Sequence, residues 1–273
     1  VAKDKVRKAL RVQPGSVDLA AYDPAGQPVP RGKRDHSAEA PQFQERLWAE
    51  ATAGGRRSVL LVLQGMDTSG KGGVTEHVVG AFGPIGVDYT AFKKPTEEEL
   101  AHDFLWRVRK RLPPPGHVGV FDRSHYEDVL ITRVHGAISD AEARDRFEVI
   151  NEFERELVAS GGTIVKCFLH ISYDTQRERL LARLDNPAKH WKFNEADIDE
   201  RGRWDDYQAA YADVLEQCNQ PDAPWYVIPG DDKKYRNWLV GALLREVFRE
   251  LDPQYPRPPL DVPALKARLA PPN

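Results

Sequence analysis

The sequence predicts an α/β fold, a central parallel sheet of five strands flanked by helices, and three observations carry that expectation. Short apolar runs alternate with longer amphipathic segments along most of the chain. The first run, Val59-Leu60-Leu61-Val62-Leu63, is continuous, as befits a strand buried on both faces. It leads into Gly65-Met66-Asp67-Thr68-Ser69-Gly70-Lys71, which fits the G-x-x-x-x-G-K phosphate loop between a strand and a helix.

Taken in order, residues 1–40 are polar, with Pro14, Pro24, Pro28 and Pro30. They read as an extended arm with little helix, of the type that packs on a sheet or a neighbouring subunit. Pro41 opens an amphipathic helix on Phe43, Leu47, Trp48 and Ala51, closed by Gly54-Gly55. After the phosphate loop a helix is expected from about Gly73 to Phe82, and Val87–Phe92 alternates as a strand ending at Lys93-Lys94-Pro95. Thr96-Glu97-Glu98-Glu99 forms a capping box for a helix over 96–111 that buries Leu100, Phe104, Leu105 and Val108. Pro113-Pro114-Pro115-Gly116 stops it, and a third strand, His117–Phe121, delivers Asp122 at its C-terminal end.

A long helix follows from Ser139 to about Ala159, then a strand over 163–170 and an arginine-rich helix over 172–184. Residues 183–197 lose periodicity and read as a mobile lid; a plain helix–helix connection is the alternative. A lid suits phosphoryl transfer, which must exclude water. Helix 195–219, with Trp204, Tyr207, Tyr211 and Leu215, supports it. Trp225–Ile228 is the fifth strand, residues 231–251 the terminal helix, and 256–273 a proline-rich tail along the surface. The organisation is an arm (1–40), one domain (41–255) and the tail.

With 273 residues, 41% hydrophobic and 30% charged, the chain describes a soluble globular protein with room for one substantial core. No stretch reaches a membrane span and the opening segment has no apolar signal core, so the cytoplasm is the expected compartment and no membrane partner is expected. Cys167 and Cys218 lack metal-site spacing, and Cys167 reads as a small core residue. The net charge of −3 argues against a generic nucleic-acid binder. Yet basic residues cluster at Arg31, Lys33 and Arg34, at Lys93-Lys94, at Arg107 with Arg109, Lys110 and Arg111, and at Arg177, Arg179 and Arg183. Singly each is an ordinary solvated face. Together, on an acidic chain with a phosphate loop, they point to a polyanionic ligand.

Gly65 and Gly70 free the loop backbone to wrap its N–H groups, with those of Thr68, Ser69 and Gly72, around an anion, while Lys71 reaches the outer phosphates. The position after the lysine, where Ser or Thr ordinarily holds Mg²⁺, is Gly72. Asp67 lies inside the loop, where a carboxylate repels phosphates unless a cation intervenes, and so reads as a metal ligand or proton acceptor. Its alternative is a helix cap, a task Thr68 or Ser69 performs without the charge. Asp122 reads as the second metal carboxylate and Arg123 as a planar phosphate fork; for Asp122 a helix N-cap is the alternative. Arg133 comes from the following helix.

These pieces resemble the polyphosphate kinase 2 family, relatives of thymidylate kinase on a P-loop kinase fold. The matching residues are Gly65–Gly72, Phe92-Lys93-Lys94-Pro95, Phe121–Val129 with Arg133-Val134-His135-Gly136, His190-Trp191-Lys192-Phe193, and Pro224–Val227 with Tyr235-Arg236-Asn237. They span roughly residues 40 to 255. The resemblance implies transfer of the terminal phosphoryl group of inorganic polyphosphate to a nucleotide, with Mg²⁺ (or Mn²⁺) as cofactor. It implies that Asp67 and Asp122 organise the metal, that Lys71 neutralises the transferred group and that Arg123 and Arg133 clamp phosphates. Arg183 and Lys192 then act from the lid, and Lys93, Lys94, Arg107, Lys110 and Arg111 border the polyphosphate channel. The lid and Glu127-Asp128-Val129 segments favour the single-domain group that accepts both AMP and ADP, with other purine nucleotides as further acceptors. Family members usually form homodimers or homotetramers. The rival readings are an ATP-dependent nucleoside monophosphate kinase, which differs in donor, and a non-catalytic polyphosphate-binding protein, which would gain from losing Asp67 and Asp122.

Overall fold

A computed structural model describes residues 5–32 and 39–269. Lys33 and Arg34 of the first basic cluster and residues 270–273 of the tail lie outside the described residues.

Five parallel strands form one sheet in the order β2-β3-β1-β4-β5. They are β1 (Ser58–Gln64), β2 (Val87–Ala91), β3 (Val118–Asp122), β4 (Gly162–His170) and β5 (Trp225–Pro229). β1 is buried at every position because both sheet faces are covered. Its side chains alternate between two cores. Leu60 and Val62 join one core with Phe121, Phe147, Tyr211 and Trp225, while Val59, Leu61 and Leu63 join the other with Leu47, Val74, Leu239 and Phe248. Register sets Leu63 beside Asp122, and Asp122 beside Ala91. The phosphate loop, Asp122-Arg123 and Lys93-Lys94 therefore leave the sheet at the same C-terminal edge, where open α/β sheets place their ligands.

In chain order the helices are α1 (Lys5–Leu10), α2 (Ala40–Thr52), α3 (Lys71–His77), α4 (Glu97–Leu100), α5 (Trp106–Arg109), α6 (Ile131–Val134), α7 (Asp140–Ala159), α8 (Tyr173–Leu184), α9 (Ala196–Arg201), α10 (Trp204–Gln217), α11 (Lys233–Leu251) and α12 (Val262–Leu269). Helices α7 and α10 cover one face of the sheet, and α1, α2, α3 and α11 the other.

Four elements depart from expectation, each for a local reason. The helix after the phosphate loop starts at Lys71 and ends at His77, giving way to a 3-10 turn at Val79–Ala81 that carries Gly80. The capping box at Thr96 and Glu99 is present, yet residues 96–111 form two single turns. Asp103 Oδ1 accepts from the Leu105 N–H at 3.0 Å, an Asx turn that competes with the helix, and Leu100 stays exposed. The helix expected over 195–219 breaks at Gly202-Arg203. The tail is extended only to Asp261 and then carries α12, which is exposed throughout.

The arm contains α1 and then pairs with the sheet edge. Arg11 bridges Tyr226 antiparallel, and the Val12 N–H donates to the Trp225 carbonyl at 2.9 Å. This caps backbone groups that an edge strand leaves open. Val12 and Leu19 enter one core, Val6 and Leu10 the other.

A lysine–carboxylate pair lies wholly inside the core. Lys166 on β4 donates to Glu154 on α7 at 2.5 Å and to the Cys218 carbonyl at 2.7 Å, with both side chains at most 1% exposed. Tyr126 donates its hydroxyl to Glu154 at 2.6 Å, so the pair also anchors the turn after β3. Burial favours the neutral acid, but Lys166 and His125 hold Glu154 below its ordinary range. Removing one partner strands a buried charge. Glu154→Gln or Lys166→Met alone is expected to lower stability by about 3–5 kcal/mol, and the double change Glu154→Leu/Lys166→Met to recover most of it. Urea unfolding midpoints check this.

Candidate active site

The phosphate loop keeps its shape through glycine conformations and long-range arginines. Gly65 (φ +148°) and Gly70 (φ +104°) adopt backbone that side chains disfavour. A Cβ on Gly65 would meet the Leu169 carbonyl at 2.6 Å, and one on Gly70 would fall on the Arg236 guanidinium. Gly72, by contrast, has open space where a side chain would stand. Thr68 (φ +65°) and Arg123 (φ +61°) occupy the left-handed region without being glycine, so backbone strain is concentrated here.

Three side chains to which the sequence reading gave no role at the loop hold it. Arg179 on α8 donates Nη1 to the Thr68 carbonyl at 2.9 Å and Nη2 to Gly230 and Asp231 at 2.6 and 2.8 Å. Arg236 on α11 donates Nη1 to the Ser69 carbonyl at 3.0 Å, and Gln176 donates to the Asp67 carbonyl at 3.2 Å. Among the described residues neither arginine forms an ion pair with a carboxylate. Burial, with Arg179 nearby, pulls the Arg236 pKa down to about 10.

Lys71 is buried at the mouth of the loop, its Nζ folded back onto the Gly65 carbonyl at 2.8 Å. Arg123 Nη2 pairs with Asp67 Oδ1 at 2.5 Å. Asp122 accepts the Tyr89 hydroxyl at 3.2 Å, and burial together with Asp122 pushes the Tyr89 pKa up to about 12. The capping alternatives fail for both carboxylates. The turn after β3 is capped by Ser124, and α3 has Gly70 at its N-cap with no side-chain cap. Asp67, Asp122 and Glu127 all act electrostatically on Lys71, so these groups share one site. Burial and the neighbouring Arg123 nonetheless lower the Lys71 pKa.

Glu127 is the site carboxylate that the sequence reading passed over. It faces Arg123, Lys71, Asp67 and the Gln64 amide, and burial raises its pKa in spite of the two cations. Asp197 on α9 is a further one. Burial, then Asp67, raises its pKa, and Arg183, Arg123 and Lys71 oppose that rise.

The remaining expected residues divide. Arg183 on α8 pairs with Asp197 on α9 at 3.2 Å and donates to the Lys192 carbonyl at 3.0 Å, so it fastens the intervening segment, expected as a lid, to α8. The Lys192 ammonium lies over the Trp191 ring, and Trp191 is 78% exposed. Arg133 is engaged with Asp140 and Asp213, at 2.7 and 2.5 Å, rather than with the loop. Arg107 points inward: at 7% exposure it donates to the Lys93 carbonyl at 2.8 Å and neighbours Glu99 and Asp128. Its place is therefore structural, fastening the Lys93-Lys94 segment to α5. Lys93, Lys94, Lys110 and Arg111 are exposed, with Lys110 over the Trp106 ring at 3.3 Å.

Among the described residues no three His, Cys, Asp or Glu side chains gather to form a metal cage. Mg²⁺ needs none, since it is held through one or two carboxylates with substrate phosphates and water. Asp67 and Asp122, both oxygen donors beside the phosphate loop, fit that requirement.

The model of the family described as polyphosphate kinase 2 matches residues 31–255. The chain belongs to the polyphosphate kinase 2 family. Among its relatives, an AMP/ADP-polyphosphate phosphotransferase of Meiothermus ruber is 44% identical over 92% of this chain and 96% of its own. An ADP-polyphosphate phosphotransferase of Rhodopseudomonas palustris is also 44% identical, over 75% of each chain. A crystal structure of polyphosphate kinase 2 from Arthrobacter aurescens superimposes with a TM-score of 0.94 at 46% identity, covering 98% of both chains. The P-loop kinase fold is thus shared along the whole chain.

A depressed Lys71 pKa makes phosphate binding pH-dependent. The lysine is charged below its folded pKa and loses its proton as pH rises through it, so affinity for a polyanion falls on the alkaline side. Titration of the protein with inorganic tripolyphosphate from pH 7 to 10 is expected to show that fall. In Lys71→Arg, whose charge persists above pH 12, the fall should be much reduced.

Proposed function

We propose that this chain transfers the terminal phosphoryl group of inorganic polyphosphate, reversibly and with Mg²⁺, to nucleoside mono- and diphosphates: AMP to ADP and ADP to ATP. The observation that carries the reading is the grouping of Lys71, Arg123, Asp67 and Asp122 at a phosphate loop. The naming of the Meiothermus relative for both acceptors, with nearly full mutual coverage, favours the dual-acceptor assignment.

In this reading a nonbridging oxygen of the acceptor's terminal phosphate attacks the end phosphorus of polyphosphate. A new P–O bond forms as the P–O bond to the rest of the polymer breaks, and the shortened chain leaves with the electron pair. The acceptor oxygen is already ionised at neutral pH, so no strong base is required, and the work is alignment and charge neutralisation. Lys71 leaves the Gly65 carbonyl to meet the transferred group. Arg123 exchanges Asp67 for a phosphate, and Asp67 and Asp122 would then be the carboxylates that hold the metal. Mg²⁺ held by that pair would neutralise phosphate oxygens. Glu127 keeps Lys71 and Arg123 oriented. Arg183 and Lys192 swing with residues 183–197 to exclude water, and Lys93, Lys94, Lys110 and Arg111 guide the polymer. No helix among the described residues is long and apolar enough to cross a membrane, which accords with a cytoplasmic enzyme. By family analogy it assembles as a homodimer or homotetramer, which light scattering tests.

Incubation with polyphosphate, Mg²⁺ and AMP, without ATP, should yield ADP and then ATP on nucleotide chromatography, and EDTA should stop it. Asp122→Asn should lower the rate by about 100-fold or more with folding intact. Product from ADP alone would overturn the acceptor assignment, and product only when ATP is supplied would overturn the donor.

A further inference from the structure

A second cavity, of about 450 Å³, opens between arm residues 17–24, the C-terminal end of β4 and helix α10. None of the phosphate-loop residues lines it. Its aromatic walls are Tyr22, Tyr173 and Trp204, with Tyr173 and Trp204 packed edge to face at 5.2 Å. Two polar side chains in the lining are unsatisfied. His170 is 6% exposed, with the Leu19 and Tyr22 backbone beside its ring and Nδ1 without a partner among the described residues. The buried Nε2 of Gln208 likewise has none. Buried polar atoms in this condition are costly unless something pairs with them.

Their chemistry specifies a ligand. In the tautomer that carries its proton on Nε2, neutral His170 offers a lone pair at the unpaired Nδ1, and Gln208 offers an amide N–H. A planar heterocycle that presents a donor beside an acceptor satisfies both, and purines do so along their base-pairing edges. The aromatic walls suit a flat ring and the volume suits a nucleoside. The lining contains Asp18 but neither lysine nor arginine, so it offers no cationic side chain for a phosphate.

The cavity also connects to the transfer site. The Pro24 carbonyl accepts from the Asp231 N–H at 3.1 Å, and Ser172, in the cavity wall, donates its N–H to Asp231 Oδ1 at 2.9 Å. The Asp231 carbonyl accepts from Arg179, which holds the Thr68 carbonyl of the phosphate loop.

We propose that the cavity under the arm, walled by Tyr22, Tyr173 and Trp204 and read by His170 and Gln208, is an effector site for a purine nucleoside. It is separate from the acceptor site and acts on the phosphate loop through Asp231 and Arg179. The proposal goes beyond the transfer reaction, and its binding test does not depend on the identity of the phosphoryl donor.

The full chain is titrated with adenosine and with guanosine, following intrinsic tryptophan fluorescence and hydrogen exchange of residues 17–24. One of the two nucleosides is expected to bind, to protect 17–24 and to persist in the presence of saturating AMP. Gln208→Leu, which removes the amide donor, and Ala212→Phe, which fills the cavity, should each weaken binding at least tenfold. The same nucleoside should alter the transfer rate of the unaltered protein at saturating substrates and leave that of the two variants unchanged. Absence of binding by both nucleosides overturns the proposal. So does displacement by AMP, which would place the nucleoside in the acceptor site, or protection that never reaches residues 17–24. These readings use the unaltered protein and stand even if a variant fails to fold.

Discussion

Two guanidinium groups behind the phosphate loop, Arg236 buried and Arg179 half-buried, set the conditions for the site. Arg179 and Arg236 hold the carbonyls of Thr68 and Ser69, which turns those carbonyls away from an anion in front of the loop; the Ser69 N–H is itself given to the Met66 carbonyl at 3.0 Å. Neither has a carboxylate ion-pair partner among the described residues, and burying such a charge is costly. Asp231 and Glu178 act on Arg179 and Asp232 on Arg236 from beyond ion-pair distance, and a phosphate chain in front of the loop would add to that negative charge. The protein bears the desolvation cost when it folds and recovers part of it when the polyanion binds.

The same balance explains the front of the site. Arg123 rests on Asp67 and Lys71 on the Gly65 carbonyl. Arg183, on α8, rests on Asp197. Each contact is one that phosphate oxygens can replace, so binding exchanges partners and strands no buried charge. Carboxylates that would repel a phosphate in isolation serve here to hold the cations in place, and two of them are suited to a divalent ion. Strain at Thr68 and Arg123 is tolerated because the surrounding hydrogen bonds fix both segments.

What could be read from the sequence was what is local in it. The five strands, the loop between β1 and α3, and the Asp122-Arg123 pair at the end of β3 are written in consecutive residues whose periodicity and spacing have one reading. Arg179 and Arg236 were not legible, because they reach the loop from 111 and 167 positions away and look like ordinary helical arginines. Glu127 was hidden for a related reason: burial against two cations, which no spacing reveals, makes it part of the site. Arg107 shows the converse error. A basic cluster suggests an exposed face, but Asp103 breaks the helix and turns this one guanidinium inward, onto the Lys93 carbonyl.

The central claim is that charge behind the loop, which touches no substrate, primes it for the polymer. Calorimetric titration of inorganic tripolyphosphate into the protein and into Arg236→Met tests it most directly. The account predicts binding weakened at least tenfold in the variant, with AMP affinity unchanged and stability not reduced, because an unpaired buried charge has been replaced by an apolar group of similar length. Unaltered tripolyphosphate affinity in a folded Arg236→Met protein would contradict it.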